Sequence, residues 1–372
     1  MVITLSDEKT NLSRQKEFDF AKAIAIVFMV IIHVYEEMCD IDAVLCDYPH
    51  GALDNILQFI SGPLAAPVFM FAMGTGMIYS KHRTPKEFAK RGLHLFITSY
   101  VLNIARSAFL MLFLDRHNTE EIIYEIFNID ILQFAGLAFL LVALLKKLNI
   151  PVVGMGGIAI IMQVIGNLLS AHIDVTESNL QYFLGLFFYT SEVSCFPLLL
   201  WIIFPVFGVI FAAYLQHVKE IEKFYQHLTF FGVAGLIGLC FALNFYGFNL
   251  KNFYALYEDM YYQQNALSFI FCLFVIATEL SLFHYIKKVI HIEKLEKALL
   301  YLSKNLNTIY IIQWLIIGNI STILYAPAVD YLFDKTYSVP IGIGIFIISI
   351  LIFMLYSKIK TSRMAKKSEA KA

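Results

Sequence analysis

The amino-acid sequence predicts an all-α, polytopic membrane helix bundle of about ten transmembrane helices, with the N- and C-termini cytoplasmic. The first observation behind this prediction is composition. Hydrophobic residues make up 59% of the chain and charged residues only 15%, whereas a soluble domain carries about 25% charged residues. The second is a series of apolar stretches that are each long enough to cross a bilayer. The third is the concentration of Lys and Arg in alternate connections between these stretches.

Each predicted span is an apolar stretch of about 20 residues, the length that a transmembrane helix needs. The spans are 18–38, 57–80, 92–114, 127–145, 150–170, 196–216, 228–247, 265–286, 305–326 and 337–357. The sequence therefore divides into a cytoplasmic N-terminal segment (1–17), one transmembrane domain (18–357) and a basic cytoplasmic tail (358–372).

Basic residues predict the orientation of the bundle, because cytoplasmic connections carry an excess of Lys and Arg. The N-terminal segment, every second connection and the C-terminal tail are basic, and the intervening connections are acidic. An even number of spans then places both termini in the cytoplasm. The net charge of −1 is a balance between a basic inner face and an acidic outer face, and it therefore says nothing about partners. For a membrane-embedded chain we expect no nucleic-acid partner.

The five cysteines have no metal-like spacing, so we expect no metal site. Cys39 and Cys46 share a predicted outer loop, and a disulfide between them in an oxidising compartment is the alternative to free thiols. We interpret Cys195, Cys240 and Cys272 as small apolar residues.

The first span carries Asp19, Lys22 and His33, and ionisable side chains inside a membrane segment indicate a functional site. Steps of three and four residues link them through positions 26 and 29, so they share one helix face. Asp19 and Lys22 lie one turn apart and can pair, whereas His33 lies about 21 Å from Asp19 along the helix. The alternative for each residue alone is a snorkelling Lys22 and a hydrogen-bonded interfacial His33.

The second span and the connection after it offer a second candidate site. Gly74 and Gly76 allow another backbone or a cofactor to approach closely, although simple helix packing uses the same residue type. The basic connection that follows contains Lys81, Arg83 and Arg91. Clustered cations at the inner face can hold a polyphosphate, or they can only reflect the orientation rule.

Polar residues inside other spans predict a shared polar interior, with helix-packing hydrogen bonds as the alternative. Arg106 lies inside the third span, where a buried guanidinium needs a partner. Asp130 begins the fourth span and Gln133 lies one turn further in. In the ninth span, the polar residues follow one another at steps near three: Asn305, Asn307, Tyr310 and Gln313.

The chain resembles bacterial integral-membrane acyltransferases, especially the heparan-α-glucosaminide N-acetyltransferase-like family. Six segments carry the resemblance, in family order: FDFAKAIAIVFMVIIH (18–33), PVFMFAMGTGMIYSKHR (67–83), KRGLHLF (90–96), NIDILQFAGLAFLL (128–141), FPLLLWIIFPVFG (196–208) and LNTIYIIQW (306–314). The resemblance implies a bundle of ten or eleven helices. It also implies transfer of an acetyl group from cytoplasmic acetyl-CoA to a sugar hydroxyl or amine on the other side of the membrane.

The resemblance implies roles for individual residues. His33 matches a polar position that ends the first span, and His50 stands in the first outer loop, where the catalytic histidine is expected. His33 and His50 are therefore alternative general bases, and Asp19, from the family's Asp-x-x-Arg/Lys element, is the third catalytic candidate. The residues expected to bind acetyl-CoA are Lys22, Arg83, Arg91, Gln133, Asn307 and Gln313.

The sequence departs from the family pattern in two motifs. Lys22 and Ala23 stand where Arg and Gly are usual, and Gln313 stands where the ninth-span motif commonly ends in His. These departures leave the acceptor class open, including the choice between O- and N-transfer.

The predicted function is that of an acyl-CoA-dependent acyltransferase in a bacterial cytoplasmic (inner) membrane. Acetyl-CoA would be a cosubstrate, with no permanently bound cofactor. A glycan or glycolipid would be the acceptor, and a homodimer is compatible with this prediction. The alternative is a secondary transporter or proton-coupled channel with an intramembrane Asp/Lys/His relay. Transporters usually contain inverted repeats, and none is visible. A structural membrane protein would leave the polar stripe of the first span unexplained.

Overall fold

The computed structural model describes residues 5–41, 51–82, 84–108, 119–175, 178–254, 259–289, 292–326 and 329–369. The α-helices are α1 (Lys16–Met38), α2 (Ala52–Ser61), α3 (Ala66–Tyr79), α4 (Pro85–Arg106), α5 (Thr119–Phe127), α6 (Ile131–Lys147), α7 (Val152–His172), α8 (Gln181–Leu184), α9 (Leu198–Trp201), α10 (Ile203–Leu215), α11 (Ile221–Phe245), α12 (Asp259–Tyr262), α13 (Ala266–Val289), α14 (Glu293–Leu324) and α15 (Ser338–Glu369). Two short 3₁₀ helices cover Leu250–Phe253 and Lys335–Tyr337.

Eight helical segments of the described chain are long and apolar enough to cross a membrane. They are α1, α2 with α3, α7, α9 with α10, α11, α13, α14 and the segment Lys335–Arg363, which contains most of α15. Between the described residues, β-structure is limited to isolated bridges such as Leu5–Val218. The all-α polytopic membrane bundle is thereby confirmed, while the number of crossings and the side of the membrane on which the termini lie stay predictions.

The third and fourth predicted spans correspond to helices with different limits. Helix α4 begins at Pro85 because the Thr84 hydroxyl accepts a hydrogen bond from the Glu87 amide at 3.2 Å, a cap that lies before the apolar stretch. Helix α6 begins only at Ile131 and has 17 residues. The two helices pack closely, since a Cβ atom at Gly92 would lie 2.7 Å from the Gly136 carbonyl oxygen.

The last helix extends beyond the predicted span, which ended at residue 357. Helix α15 continues to Glu369, through the stretch that was assigned to the basic tail. Lys, Arg, Met and Ala are all good helix formers, so the helix does not end where the apolar residues end.

Helix α1 occupies the interior of the bundle and packs against α2, α3, α13, α14 and α15. Ala21, Ala23, Ala25 and Ile26 are completely buried. By contrast, α11 exposes large apolar side chains such as Phe241, as a lipid-facing helix does. The polar stripe of α1 therefore faces other helices. We call the end of the bundle where α1 begins the Lys16 end, and the end where it finishes the Met38 end.

Helices α3 and α10 touch through their backbones. A Cβ atom at Gly74 would lie 1.8 Å from the Pro205 carbonyl oxygen, and one at Gly208 would lie 2.1 Å from the Phe71 carbonyl oxygen. A Cβ atom at Gly76 would meet no atom within 4 Å. The two glycines that the sequence singled out together therefore differ, because Gly74 serves helix packing and Gly76 borders open space.

Candidate active site

A cavity of about 340 Å³ opens at the Met38 end of the bundle. Its wall comes from the ends of α1, α2, α3, α4, α5, α6 and α12, from the middle of α14 and from the segment before α9. The residues of this wall that matter below are His33, Glu36, Glu37, Ser61, Arg106, Tyr124, Asp130, Glu192, Cys195, Tyr261, Tyr262, Tyr310 and Trp314. We call this space the Met38 cavity.

His33 lies on the wall of this cavity and is held from behind by Gln313. The Nδ1 atom of His33 lies 3.3 Å from Oε1 of Gln313, whose side chain is completely buried. An amide oxygen can only accept, so Nδ1–H is the donor, and a neutral ring then keeps Nε2 free of a proton. The protein thus stabilises the tautomer in which Nε2 can accept a proton.

Trp314 contacts both His33 and Arg106. The Trp314 and His33 ring centroids lie 4.1 Å apart with an interplanar angle of 32°. The Cζ atom of Arg106 lies 4.6 Å from the centroid of the Trp314 ring, within the range of a cation–π interaction. The partner that the sequence required for the buried Arg106 is therefore an aromatic ring, and the stack fixes the orientation of the imidazole.

Asp130 ties the start of α6 to α14. Its Oδ1 accepts from the Ile131 amide at 2.6 Å, and its Oδ2 accepts a short hydrogen bond from the Tyr310 hydroxyl. The Tyr310 ring in turn meets the edge of His33, at a centroid separation of 6.2 Å. Gln133 completes the cap, because its Oε1 accepts from the Asp130 amide at 3.1 Å and its Nε2 donates to the Asn128 carbonyl at 2.8 Å.

Three carboxylates of the Met38 cavity were not singled out in the sequence: Glu36, Glu37 and Glu192. Glu36 and Glu37 follow His33 by three and four positions, the spacing that puts side chains on one helix face. That spacing was visible in the sequence. By itself it does not indicate a site, because charged residues at the end of a span usually face water.

Cys195 also lies on the wall of the cavity, but it does not suit the role of a nucleophile. Burial raises the pKa of its thiol, and the charges of Asp130 and Glu36 raise it further. The thiolate is the reactive form of cysteine, so the environment of Cys195 disfavours it.

Two further cavities, of about 220 and 420 Å³, lie towards the Lys16 end. Both are lined by Lys22, Ala72, Gly76 and Ser80. The smaller one also contacts Arg91 and Asn307, and the larger one also contacts Arg14, Asp19 and Lys81. We call the two together the basic crevice.

Asp19 organises the charges of the basic crevice. Its carboxylate is buried and accepts from Nε of Arg14 at 2.5 Å and from Nη2 of Arg14 at 2.8 Å. Nζ of Lys22 lies 3.3 Å from Oδ1 of Asp19, which confirms the predicted pairing of these two residues. The Ser303 hydroxyl donates to the same oxygen at 2.6 Å. Asp19 therefore holds two cations in place beside the crevice.

The basic crevice and the Met38 cavity are lined by neighbouring positions of the same helices. On each of three helices, one residue lines the cavity and a nearby one lines the crevice. The cavity residue and the crevice residue are Ala66 and Phe69 on α3, Ile131 and Leu132 on α6, and Tyr310 and Leu306 on α14. On α3 and α14 the two positions are separated by about one helical turn, or roughly 5 Å. The two spaces thus lie end to end along the interior of the bundle.

The structure separates the predicted site residues into two groups. His33 and Gln313 are in contact at the Met38 end, where Gln133 caps α6. Asp19, Lys22, Arg91 and Asn307 lie at the basic crevice. His50, Arg83 and Cys46 lie outside the described residues, so their predicted roles, and the pairing of Cys39 with Cys46, stay predictions.

In a comparison with protein families, the model described as an acyltransferase domain matches residues 15–358. The matched region begins in the N-terminal segment and ends within α15. It contains every residue of the Met38 cavity and all of the basic crevice except Leu12 and Arg14. Searches of curated proteins and of solved structures gave no significant match.

Proposed function

Because this chain belongs to the family of transmembrane acyltransferases, we propose that it transfers an acetyl or other short acyl group from acetyl-CoA to a sugar. The donor would bind from the cytoplasm at the basic crevice, and the acceptor would enter the Met38 cavity from the outer side. The Lys16 end would thus face the cytoplasm, in the inner membrane of a bacterium. The placement of His33 in a cavity next to the basic crevice supports this proposal most directly.

The charges of the basic crevice suit the nucleotide of acetyl-CoA. Arg14, Lys22, Lys81 and Arg91 all line it, and Arg and Lys are the side chains that hold phosphates in charge-assisted hydrogen bonds. The Cζ atom of Arg91 lies 4.7 Å from the ring centroid of Phe139, which fixes the direction of its guanidinium group. The donor phosphates would bind at this rim.

The acyl arm would extend from the crevice towards His33. Gly76 borders both parts of the crevice and leaves space where a side chain would project. The positions that line the Met38 cavity begin about one turn further along α3 and α14. The acyl arm of acetyl-CoA is thin and flexible. If it extends past this helical turn, its thioester lies beside the imidazole of His33.

His33 would act as the general base. Its Nε2 removes the proton of the acceptor hydroxyl as the oxygen attacks the thioester carbonyl, and the imidazolium then returns that proton to the CoA sulfur. Gln313 keeps Nδ1 protonated, so Nε2 is the atom that takes the proton. A base in this position typically contributes 10²–10⁴-fold, or about 3–5 kcal/mol of the barrier.

The proposal is tested first by donor binding. Purified protein in detergent or nanodiscs is titrated with acetyl-CoA while its thermal unfolding is followed, because a ligand that binds only the native state must stabilise it. Acetyl-CoA at a concentration of a hundred times its Kd should raise the free energy of unfolding by about 2.7 kcal/mol. Absence of any CoA-dependent stabilisation, together with absence of acyl transfer to sugars in proteoliposomes, would refute the proposal.

Gly76→Leu should weaken acetyl-CoA binding by at least about tenfold, because the new side chain would occupy the open space of the crevice. The matched control is Gly157→Leu, at an exposed helical glycine of α7 that also has no atom within 4 Å of an added Cβ. For both variants, the measurement is the change in thermal unfolding midpoint as acetyl-CoA is added. Equal binding by Gly76→Leu and the control would place the donor elsewhere.

Gln313→Met should lower kcat by about tenfold or more with little change in the KM for acetyl-CoA, because it leaves the buried Nδ1–H of His33 without its acceptor, at a cost of about 1–3 kcal/mol. Gln313→Glu restores an acceptor for Nδ1 and should recover part of the activity. Its carboxylate stabilises the imidazolium, so the rising limb of the pH–kcat profile should move to higher pH. A purely structural role for Gln313 would lower activity in both variants without that movement.

A further inference from the structure

Arg106 is a cation on the wall of the Met38 cavity that has no ion-pair partner among the described residues. Its side chain is only 8% exposed, and it lies against the ring of Trp314. Glu37 is within electrostatic reach of its charge but forms no salt bridge with it. A cation that is withdrawn from water without a paired anion is costly, so its place in the cavity indicates a function.

The guanidinium group of Arg106 is the one fixed positive charge among the described residues of the cavity wall. The acidic side chains there are Glu36, Glu37, Asp130 and Glu192. A carboxylate repels a second anion. A negative charge that develops in this cavity is therefore stabilised best beside Arg106. The carbonyl oxygen of a thioester acquires such a charge when a nucleophile attacks its carbon.

Arg106 lies close enough to His33 for one reacting carbon to contact both side chains. The imidazole centroid lies 4.1 Å from the Trp314 ring centroid, and Cζ of Arg106 lies 4.6 Å from it. The distance between imidazole and guanidinium therefore cannot exceed the sum of these separations. A carbon whose attacking oxygen is bonded to the imidazole and whose carbonyl oxygen is bonded to the guanidinium spans at most roughly 8 Å, from two hydrogen bonds of about 2.9 Å and two covalent bonds.

The backbone around Arg106 is held by contacts with two other parts of the chain. Nδ2 of Asn103 donates to the Asn128 carbonyl at 2.8 Å, which ties α4 to the segment before α6. Nδ2 of Asn319 donates to the Ala105 carbonyl at 3.1 Å, which ties α4 to α14. The guanidinium group itself is held against an indole ring. A donor that is oriented before the reaction starts gives the largest stabilisation of a developing charge.

We propose that Arg106 is a catalytic residue that donates hydrogen bonds to the carbonyl oxygen of the donor thioester as this oxygen becomes an oxyanion. This inference rests on the proposed function and adds a residue to the same site. The Nε atom of Arg106 is enclosed and has no hydrogen-bond partner in the described part of the chain. The terminal Nη groups are therefore the donors to the reacting oxygen.

Each bond and each proton of this step is accounted for. His33 accepts the proton of the acceptor hydroxyl while the hydroxyl oxygen forms its bond to the acyl carbon. The π electrons of the carbonyl group move to the oxygen beside Arg106. When the C=O bond re-forms, the C–S bond breaks, its electron pair leaves with the sulfur, and the imidazolium protonates the thiolate. Arg106 keeps its proton and its charge throughout.

Arg106→Gln should lower kcat by about 10²–10³-fold. The KM values and the stabilisation by acetyl-CoA should stay unchanged, because the hydrogen bond forms only in the transition state. Arg106→Lys keeps the charge without the planar fork and should recover part of the rate. A higher KM for the acceptor at unchanged kcat would overturn the inference, because Arg106 would then bind an anionic group of the acceptor.

The matched control is Arg363→Gln, which removes a guanidinium group from an exposed position of α15 outside the cavity and the crevice. This variant should transfer at the wild-type rate. If Arg106→Gln yields no folded protein, Arg106→Lys carries the same test. It should then show a lower kcat with unchanged KM values, and a wild-type kcat would contradict the inference.

Two ketone analogues of acetyl-CoA test the inference without turnover. S-acetonyl-CoA carries an ordinary ketone, whereas the ketone of S-trifluoroacetonyl-CoA adds water and becomes tetrahedral like the intermediate. The wild type should bind the trifluoro compound at least about tenfold more tightly, and Arg106→Gln should lose most of this preference. An equal loss of affinity for both would indicate a structural role and overturn the inference. Acetyl transfer by the wild type is measured in parallel, so a failure of the proposed function is recognised separately.

Discussion

His33→Ala should reduce acyl transfer by about 10²–10⁴-fold and leave acetyl-CoA binding unchanged. The imidazole lies on the wall of the Met38 cavity, whereas the residues proposed to bind the donor line the basic crevice. Removing the imidazole ring therefore removes the proton acceptor and leaves the cations of the basic crevice unchanged. The measurements are the initial rate of acetyl transfer in proteoliposomes and the thermal shift with acetyl-CoA.

The matched control for His33→Ala is His172→Ala. His172 is exposed at the end of α7, and among the described residues its Nδ1 bonds to the Leu168 carbonyl of its own helix. This variant should transfer at the wild-type rate. His50→Ala completes the set, because His50 is the alternative base implied by the family resemblance. Loss of transfer in His50→Ala with wild-type activity in His33→Ala would assign the base to the first outer loop.

Gly74→Ala should prevent stable folding, because the new methyl group would lie 1.8 Å from the Pro205 carbonyl oxygen. Overpacking of a helix interface typically costs about 1–3 kcal/mol, and more where the opposing atoms cannot move. Here those atoms are backbone, so α3 and α10 would have to separate. The yield of monodisperse protein and its thermal unfolding midpoint measure the effect.

Gly76→Ala is the control for this prediction, since it lies half a turn further along α3 and its added Cβ meets no atom. Replacing a helical glycine with alanine at an open position stabilises a helix by up to about 1 kcal/mol. We therefore expect a midpoint equal to or above that of the wild type. If Gly74→Ala folded as well as Gly76→Ala, the close approach of α3 to α10 would be wrong.

The periodicity of the sequence predicts how one helix faces the bundle, but not which residues of other helices it meets. The steps that link Asp19, Lys22 and His33 placed them on one face of α1, and the pairing of Asp19 with Lys22 was predicted correctly. The family resemblance implies that Gln313 binds acetyl-CoA, which stays a prediction, and the structure adds a contact between its side chain and His33 that the sequence does not predict. That contact depends on how far α14 is shifted along its axis relative to α1. Helix packing determines this shift, and the periodicity of the sequence does not predict it.

Local chemistry also explains the remaining differences between the predicted and the observed structure. The capping residues Thr84 and Asp130 fix where α4 and α6 begin, whereas hydropathy alone moved both limits by several residues. The sequence around Glu36 and Glu37 does not indicate a site, because charge at the end of a span is ordinary. Their place in the wall of the Met38 cavity depends on the packing of the surrounding elements.

The stacking of Trp314 on His33 gives the molecule a built-in optical reporter. The chain contains two tryptophans, and the other, Trp201, is completely buried with its indole N–H bonded to the Tyr262 carbonyl at 3.0 Å. A protonated imidazole 4.1 Å from an indole quenches its fluorescence, whereas a neutral one does so far less. With Trp201 replaced by Phe, the emission of Trp314 follows the ionisation of His33 directly, without an added label.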